Sequence, residues 1–195
     1  MGSNYCKNLT YDSSRLSRFD AHCGVHNATI VNSEVTMINL IGSGKFTLEN
    51  STVNAITSNM INLRDDYGST WDGEIYIKNT HLNNLTSSVN IIGLGWNNHF
   101  YGYTCRMPST VTLENLTFEM KAAVYILSKN LTTYNERYGD ISLDTVNGSY
   151  TEWKDKKNSN PYSAPKTVTV INADAKVEWK EQDIPFLKET VIEFK

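Results

Sequence analysis

The sequence predicts an all-β protein, a parallel β-helix solenoid of about six to seven coils. Two observations predict it. A short segment of alternating apolar and polar residues recurs along the chain, and most of its copies carry Asn at one position. The segment is clearest at 45–53, Lys-Phe-Thr-Leu-Glu-Asn-Ser-Thr-Val, and further copies lie at 9–14, 28–33, 75–80, 111–116, 141–146 and 168–173.

Each copy is rich in Val, Ile, Thr, Tyr and Phe, which is typical of a short strand with one buried face. Further apolar patches follow, such as 35–40 and 60–63. They indicate three short strands per turn of a solenoid whose coils stack in chain order. A β-sandwich or jelly roll would also contain many short strands, but it does not account for the copied Asn.

The copied Asn is expected at the corner after the first strand of each coil. There it can adopt the left-handed conformation and hydrogen-bond to its equivalents in neighbouring coils. The predicted ladder consists of Asn32, Asn50, Asn79 and Asn115.

The 195 residues suit a single domain over 1–195. Regular coils are expected over 4–145, and an irregular coil with a C-terminal cap over 146–195. No matching cap and no signal peptide are visible at the start, so we expect a piece of a longer protein. The net charge of −3 gives no surface for nucleic acid, and no apolar run is long enough for membrane insertion.

Four insertions fall at one place in the coil, after the last strand: 18–24, 64–73, 95–103 and 134–139. Because coils stack in register, loops that leave the same corner should lie side by side, roughly 5 Å apart at their roots. Aromatic faces bordered by Asp, Asn, Arg and His suit an elongated, hydroxyl-rich ligand, and a polysaccharide is the natural candidate.

The insertions supply the candidate site residues. The catalytic candidates are Asp20, His22, Arg64, Asp65 and His99. The substrate-binding candidates are Asp66, Tyr67, Trp71, Trp96, Asn97, Asn98, Tyr101, Tyr103 and Arg137. A carboxylate pair would serve glycoside hydrolysis, whereas His beside Arg would serve proton abstraction next to a uronate carboxylate, and the sequence does not choose between them. Alternatively, the aromatic residues fold back over the coil and Arg64 pairs with a neighbouring Asp. No metal site and no cofactor are predicted.

Three motifs carry a family resemblance: Ser-Arg-Phe-Asp-Ala-His at 17–22, Arg-Asp-Asp-Tyr-Gly-Ser-Thr-Trp at 64–71, and Trp-Asn-Asn-His-Phe-Tyr-Gly at 96–102. With them, 4–127 resembles tail-associated proteins of bacteriophages and prophages of Gram-positive bacteria. The resemblance implies a pectin-lyase-like, right-handed β-helix in the phage tail. It also implies other tail subunits as partners, often in a homotrimer, and a position facing the host cell envelope. It supplies no catalytic residues for these positions.

The function expected from the sequence is that of a tail or receptor-binding β-helix domain that binds host cell-surface polysaccharide. Whether it also cleaves the polysaccharide, as a lyase or a glycoside hydrolase, is open at this level. The alternative is a purely structural spacer or assembly domain without glycan activity.

Overall fold

A computed structural model describes residues 2–57, 59–64, 71–84, 89–95, 108–119, 124–127, 167–172, 179–180 and 191–195. Within these residues the chain forms seventeen strands and no helix. The strands are β1 Gly2–Ser3, β2 Lys7–Asp12, β3 Arg15–Leu16, β4 Phe19–Val31, β5 Glu34–Val35, β6 Ile38–Glu49, β7 Thr52–Ala55, β8 Asn59–Arg64, β9 Trp71–Lys78, β10 His81–Asn84, β11 Val89–Gly95, β12 Thr110–Glu114, β13 Thr117–Glu119, β14 Val124–Leu127, β15 Thr167–Ile171, β16 Trp179–Lys180 and β17 Val191–Phe194.

The strands form parallel stacks, which the chain visits in a repeating order. The first stack contains β2, the C-terminal parts of β4 and β6, and then β9, β12, β15 and β17. The second contains β3, β5, β7, β10 and β13. The third contains β1, the N-terminal parts of β4 and β6, and then β8, β11, β14 and β16. The strands of each stack come from successive passes of the chain, as the sequence repeat predicts.

Inward-facing apolar side chains from all three stacks form one buried cluster. Its members include Ile30, Leu48 and Ile77 from the first stack, Val35, Val53 and Leu82 from the second, and Ile38, Ile61 and Ile92 from the third. Most of these residues alternate along their strands with a polar or exposed neighbour. The others pair in register with a residue that has such a neighbour. Nowhere in the described residues does the chain form a helix of the length and apolarity needed to cross a membrane.

The predicted Asn ladder is present at the end of the first stack. Asn32, Asn50, Asn79 and Asn115 all have positive φ, from 47° to 52°. Asn115 donates a side-chain hydrogen bond to Asn79 at 2.9 Å, and Asn79 donates one to Asn50 at 3.1 Å. Asn172 extends the row with φ 48° and a bond of 3.3 Å to Asn115. The ladder prediction is therefore confirmed for the conformations of all four residues and for the contacts from Asn50 to Asn115, whereas the side chain of Asn32 donates to Asp12.

Replacing Asn79 by Ala is expected to lower the free energy of unfolding by about 2 kcal/mol, because Ala tolerates a left-handed conformation poorly and two side-chain hydrogen bonds are lost. Asn79→Gly keeps the backbone conformation and should lose only part of this, roughly 1 kcal/mol. Urea unfolding followed by circular dichroism measures both. Equal losses in the two variants would contradict a conformational contribution at this position.

The predicted stacking order is wrong at one copy. We expected 141–146 to stack between 111–116 and 168–173, but β12 pairs directly with β15, with Leu113 opposite Val170. Asn172 occupies the left-handed corner in that layer. In the 141–146 copy the corresponding residue is Thr145, whose branched Cβ disfavours this conformation. Residues 141–146 themselves lie outside the described residues.

The segment 18–24, expected to be an insertion, lies from residue 19 onward within the continuous strand Phe19–Val31. Between Ala21 and Val25 this strand has two residues more than the paired part of β6, which produces a register shift, so the insertion is confined to 22–24. Phe19 is fully buried and its ring lies 5.7 Å from that of Tyr11, so packing determines this segment. Within 146–195, where an irregular coil and a C-terminal cap are expected, the described strands β16 and β17 continue the third and first stacks as parallel layers.

Candidate functional site

The candidate site lies at the turn from the third stack to the first, here called the insertion corner. It comprises 22–24, 41, 65–70 and 96–107. Ala21, Leu40 and Leu63 pair in register just before this corner, and Arg64 pairs with Gly95. Val25, Gly42 and Trp71 pair in register just after it. The roots of the 65–70 and 96–107 insertions therefore lie in neighbouring layers at one corner, as the sequence predicted.

A row of polar side chains lies on the outer face of the third stack, two residues before this corner. Asp20, Asn39 and Asn62 pair in register. Asn62 donates to the side-chain oxygen of Asn39 at 3.0 Å, and Asn39 donates to Asp20 Oδ1 at 2.5 Å. Asn59 donates to Asn62 Oδ1 at 3.0 Å at the other end of the row. We call these four residues the third-stack amide row.

Asp20 is buried, with only 4% of its surface exposed. Its Oδ1 accepts from Asn39, and its Oδ2 lies 2.5 Å from Nε of Arg18. A general acid or nucleophile must present an oxygen to the substrate. Because both oxygens are bound within the protein, this geometry favours a structural role for Asp20 over the catalytic one.

Arg64 and His22 lie at equivalent positions of the corner. Each follows a residue of the Ala21–Leu40–Leu63 register row, and the strands that hold them are two layers apart. That separation is roughly 10 Å along the stack. The fold thus brings the backbones of these two candidates to the same edge, together with Asp20.

Trp71 was expected to provide an exposed platform for substrate, and the structure contradicts this. Its side chain is fully buried. The indole N–H donates to the carbonyl oxygens of Gly44 at 3.1 Å and Glu74 at 3.2 Å, and the ring packs edge-on against Phe46 with centroids 6.1 Å apart. The alternative, in which an aromatic residue folds into the coil, is therefore the correct one for Trp71.

The other predicted site residues lie outside the described residues. They are Asp65, Asp66, Tyr67, Trp96, Asn97, Asn98, His99, Tyr101, Tyr103 and Arg137.

Among the residues that the structure describes, no group of three or more His, Cys, Asp or Glu side chains could hold a metal ion. His26 is exposed and lies within hydrogen-bond distance of the Ser43 hydroxyl, 3.1 Å from Nδ1 to Oγ. The second stack has an analogous contact, in which Nδ1 of His81 lies 2.9 Å from Thr117 Oγ1. Both contacts join neighbouring layers.

The outer face of the first stack carries a polar network around Tyr76. The Tyr76 hydroxyl donates to Glu114 at 2.6 Å, and Lys78 pairs with the same carboxylate at 3.2 Å. The Lys45 ammonium lies 4.9 Å from the centre of the Tyr76 ring. The hydrogen bonds from Tyr76 and Lys78 lower the pKa of Glu114, and the bond to Glu114 raises the pKa of Tyr76.

Sequence reasoning missed the amide row and the Tyr76 network. A signal for the first was present in the apolar–polar–apolar triplets at 19–21, 38–40 and 61–63, whose central residues are Asp or Asn. No comparable signal existed for the network around Tyr76, since it joins strands from three separate passes of the chain.

Comparison with known proteins returns no similarity: no protein-family model, curated protein or solved structure matches this chain.

Proposed function

We propose that the chain is a right-handed parallel β-helix domain of the phage tail or receptor-binding type, and that it binds host cell-surface polysaccharide at the insertion corner. The observation that carries the binding proposal is the register of Arg64 with Gly95, beside the Ala21–Leu40–Leu63 row. This register places the first residues of the two insertions in neighbouring layers at the insertion corner.

The β-helix part of the proposal is supported by three features of the described residues. All strand pairs are parallel, the chain passes through the stacks in a fixed order, and side chains from all of them meet in one core. A closed three-sided coil accounts for these features together, because each turn then buries its inward residues against the turns on either side.

The glycan part is supported by the composition of the two insertions. They carry Trp96, Tyr101 and Tyr103 beside Asp, Asn and His, which is the combination that a chain of sugar rings needs. Neighbouring strands are spaced by about 4.8 Å, so loops from successive layers can contact successive parts of an extended polymer. The phage setting rests on the resemblance of the 17–22, 64–71 and 96–102 motifs.

Binding is tested with Trp96→Ala, titrated against wall and capsular polysaccharides of Gram-positive bacteria by calorimetry. We expect roughly a tenfold loss of affinity, because truncating a buried aromatic contact typically costs that much or more. Ile56→Ala is the matched control, since Ile56 is a large apolar side chain that is 51% exposed on a different turn. Unchanged affinity in Trp96→Ala, or equal losses in both variants, would contradict this placement of the site.

Cleavage is a separate question within the same proposal. The carboxylates left for it are Asp65 and Asp66, because Asp20 is engaged by Arg18 and Asn39. Incubation with the same polysaccharides should yield new reducing ends if a hydrolase acts, or unsaturated-uronate absorbance if a lyase acts. No product from any polysaccharide that binds would identify a binding module.

The alternative function is a structural spacer of the tail, and two observations favour it. Trp71 is buried in the core, and Asp20 is bound on both oxygens, so two predicted site residues stabilise the coil itself. A spacer predicts no affinity for any surface glycan together with self-association through the corner loops, which sedimentation of the wild type and of Trp96→Ala would detect.

A further inference from the structure

Each stack contains side-chain amides that donate in the same direction, toward the N-terminal layers. In the third stack these donors are Asn62 and Asn39, whereas Asn59 donates to Asn62 within one strand. In the second stack Asn83 donates to Asn54 at 3.1 Å, and Asn54 donates onward at 2.8 Å to a carboxylate, Glu34. We call Asn54 and Asn83 the second-stack amide row.

Two of these rows end on a carboxylate in the early layers. The third-stack row ends on Asp20 and the second-stack row on Glu34. In the first stack Asn32 donates to Asp12 Oδ1 at 3.0 Å. This bond is the largest influence that lowers the pKa of Asp12, and the Ser13 hydroxyl adds to it.

An ionised carboxylate differs from an amide in one decisive way: it only accepts hydrogen bonds. In a row made of amides alone, the same hydrogen bonds form whether every amide donates toward the N-terminal layers or every amide donates toward the C-terminal layers. With a carboxylate at its base, the reversed row would place two acceptor oxygens against each other. The carboxylate therefore allows one direction only, and each amide transmits that direction to the next layer.

Arginine side chains satisfy the oxygens that the amides leave. Nε of Arg18 lies 2.5 Å from Asp20 Oδ2, and Nε of Arg15 lies 3.2 Å from Glu34 Oε2. Asp20 thus has an arginine on one oxygen and an amide of a later layer on the other, whereas Arg15 contacts both oxygens of Glu34 and shares Oε1 with Asn54. Hydrogen bonds to charged groups are stronger than those between neutral groups, so these carboxylates hold the rows more firmly than another Asn would.

We propose that Asp20 and Glu34 are acceptor-only groups that fix the orientation of the third-stack and second-stack amide rows and hold the first layers in a single register. Asp12 fixes the orientation of Asn32 in the same way. This role is independent of glycan binding. It also explains why the triplet 19–21 has Asp20 at its centre, where the triplets 38–40 and 61–63 have Asn. The row needs one member that accepts hydrogen bonds and cannot donate them.

The proposal is tested with Asp20→Asn in protein labelled with ¹⁵N, by measuring hydrogen exchange of the Asn side-chain amides. We expect exchange to accelerate about tenfold at Asn39 and also at Asn62, because the loss of direction spreads along the row. A merely local hydrogen bond would alter Asn39 alone. Acceleration confined to Asn39, or no acceleration, would overturn the proposal.

Glu34→Gln provides the second variant, on a carboxylate whose side chain is 40% exposed and whose replacement the fold should tolerate. There the acceleration should reach Asn83 as well as Asn54, and this variant decides the question if Asp20→Asn does not fold. Glu49→Gln is the matched control, since Glu49 accepts no side-chain amide bond from any residue in the described ranges. An equal acceleration in the control would also overturn the proposal.

Discussion

Trp71→Ala is expected to lower the free energy of unfolding by about 4 kcal/mol, in the range found for large aromatic residues removed from a core. The indole is fully buried between layers, against Phe46 and over Gly42, where an added Cβ would lie 3.0 Å from the ring. Its loss leaves a cavity and leaves the carbonyls of Gly44 and Glu74 without the indole donor. Chemical denaturation followed by circular dichroism measures the change.

Trp71→Phe separates the two contributions. It keeps an aromatic ring against Phe46 but removes the N–H donor, so we expect a loss of roughly half that of Trp71→Ala. Ile56→Ala should change stability by less than about 0.5 kcal/mol, since that side chain is largely exposed. A loss below about 1.5 kcal/mol in Trp71→Ala would show that the residue lies at the surface, and would restore the platform interpretation.

Gly73→Ala is expected to cost about 3 kcal/mol or more. Gly73 has φ 150°, a conformation that residues with a Cβ rarely adopt. A Cβ added at this position would lie 2.1 Å from the carbonyl oxygen of Gly44 in the adjacent layer. Relief requires the two layers to separate at the point where their backbones pair. The same denaturation experiment measures the loss.

Glu74→Ala is the matched control for Gly73→Ala. Glu74 is the next residue on the same strand and is exposed, so its truncation should change stability by less than about 0.5 kcal/mol. If Gly73→Ala loses no more stability than Glu74→Ala, the close approach of Gly44 and Gly73 is not a feature of the folded protein.

The part of the fold that sequence could predict depends on local periodicity. Alternation of apolar and polar residues determines which face of a strand is buried, and a left-handed corner selects Asn, as at Asn50 and Asn79. These are properties of a few adjacent residues. The parallel strands and the Asn ladder follow from them.

The part that could not be predicted depends on which layers meet. Thr145 and Asn172 end copies of similar pattern, and only the pairing of β12 with β15 shows which of them follows Asn115. Likewise, an aromatic residue beside an insertion has the same local pattern whether it binds a ligand or packs inward. Trp71 packs inward because the small Gly42 of the adjacent layer leaves room for its ring.

The sequence by itself determined that this protein consists of short strands, that their corners carry Asn, and that unusual residues collect in a few insertions. Only the tertiary structure decided that Asp20 ends an amide row and that Trp71 belongs to the core. The physical reason is that hydrogen bonds and packing between layers join residues distant in sequence, and no local pattern specifies such partners.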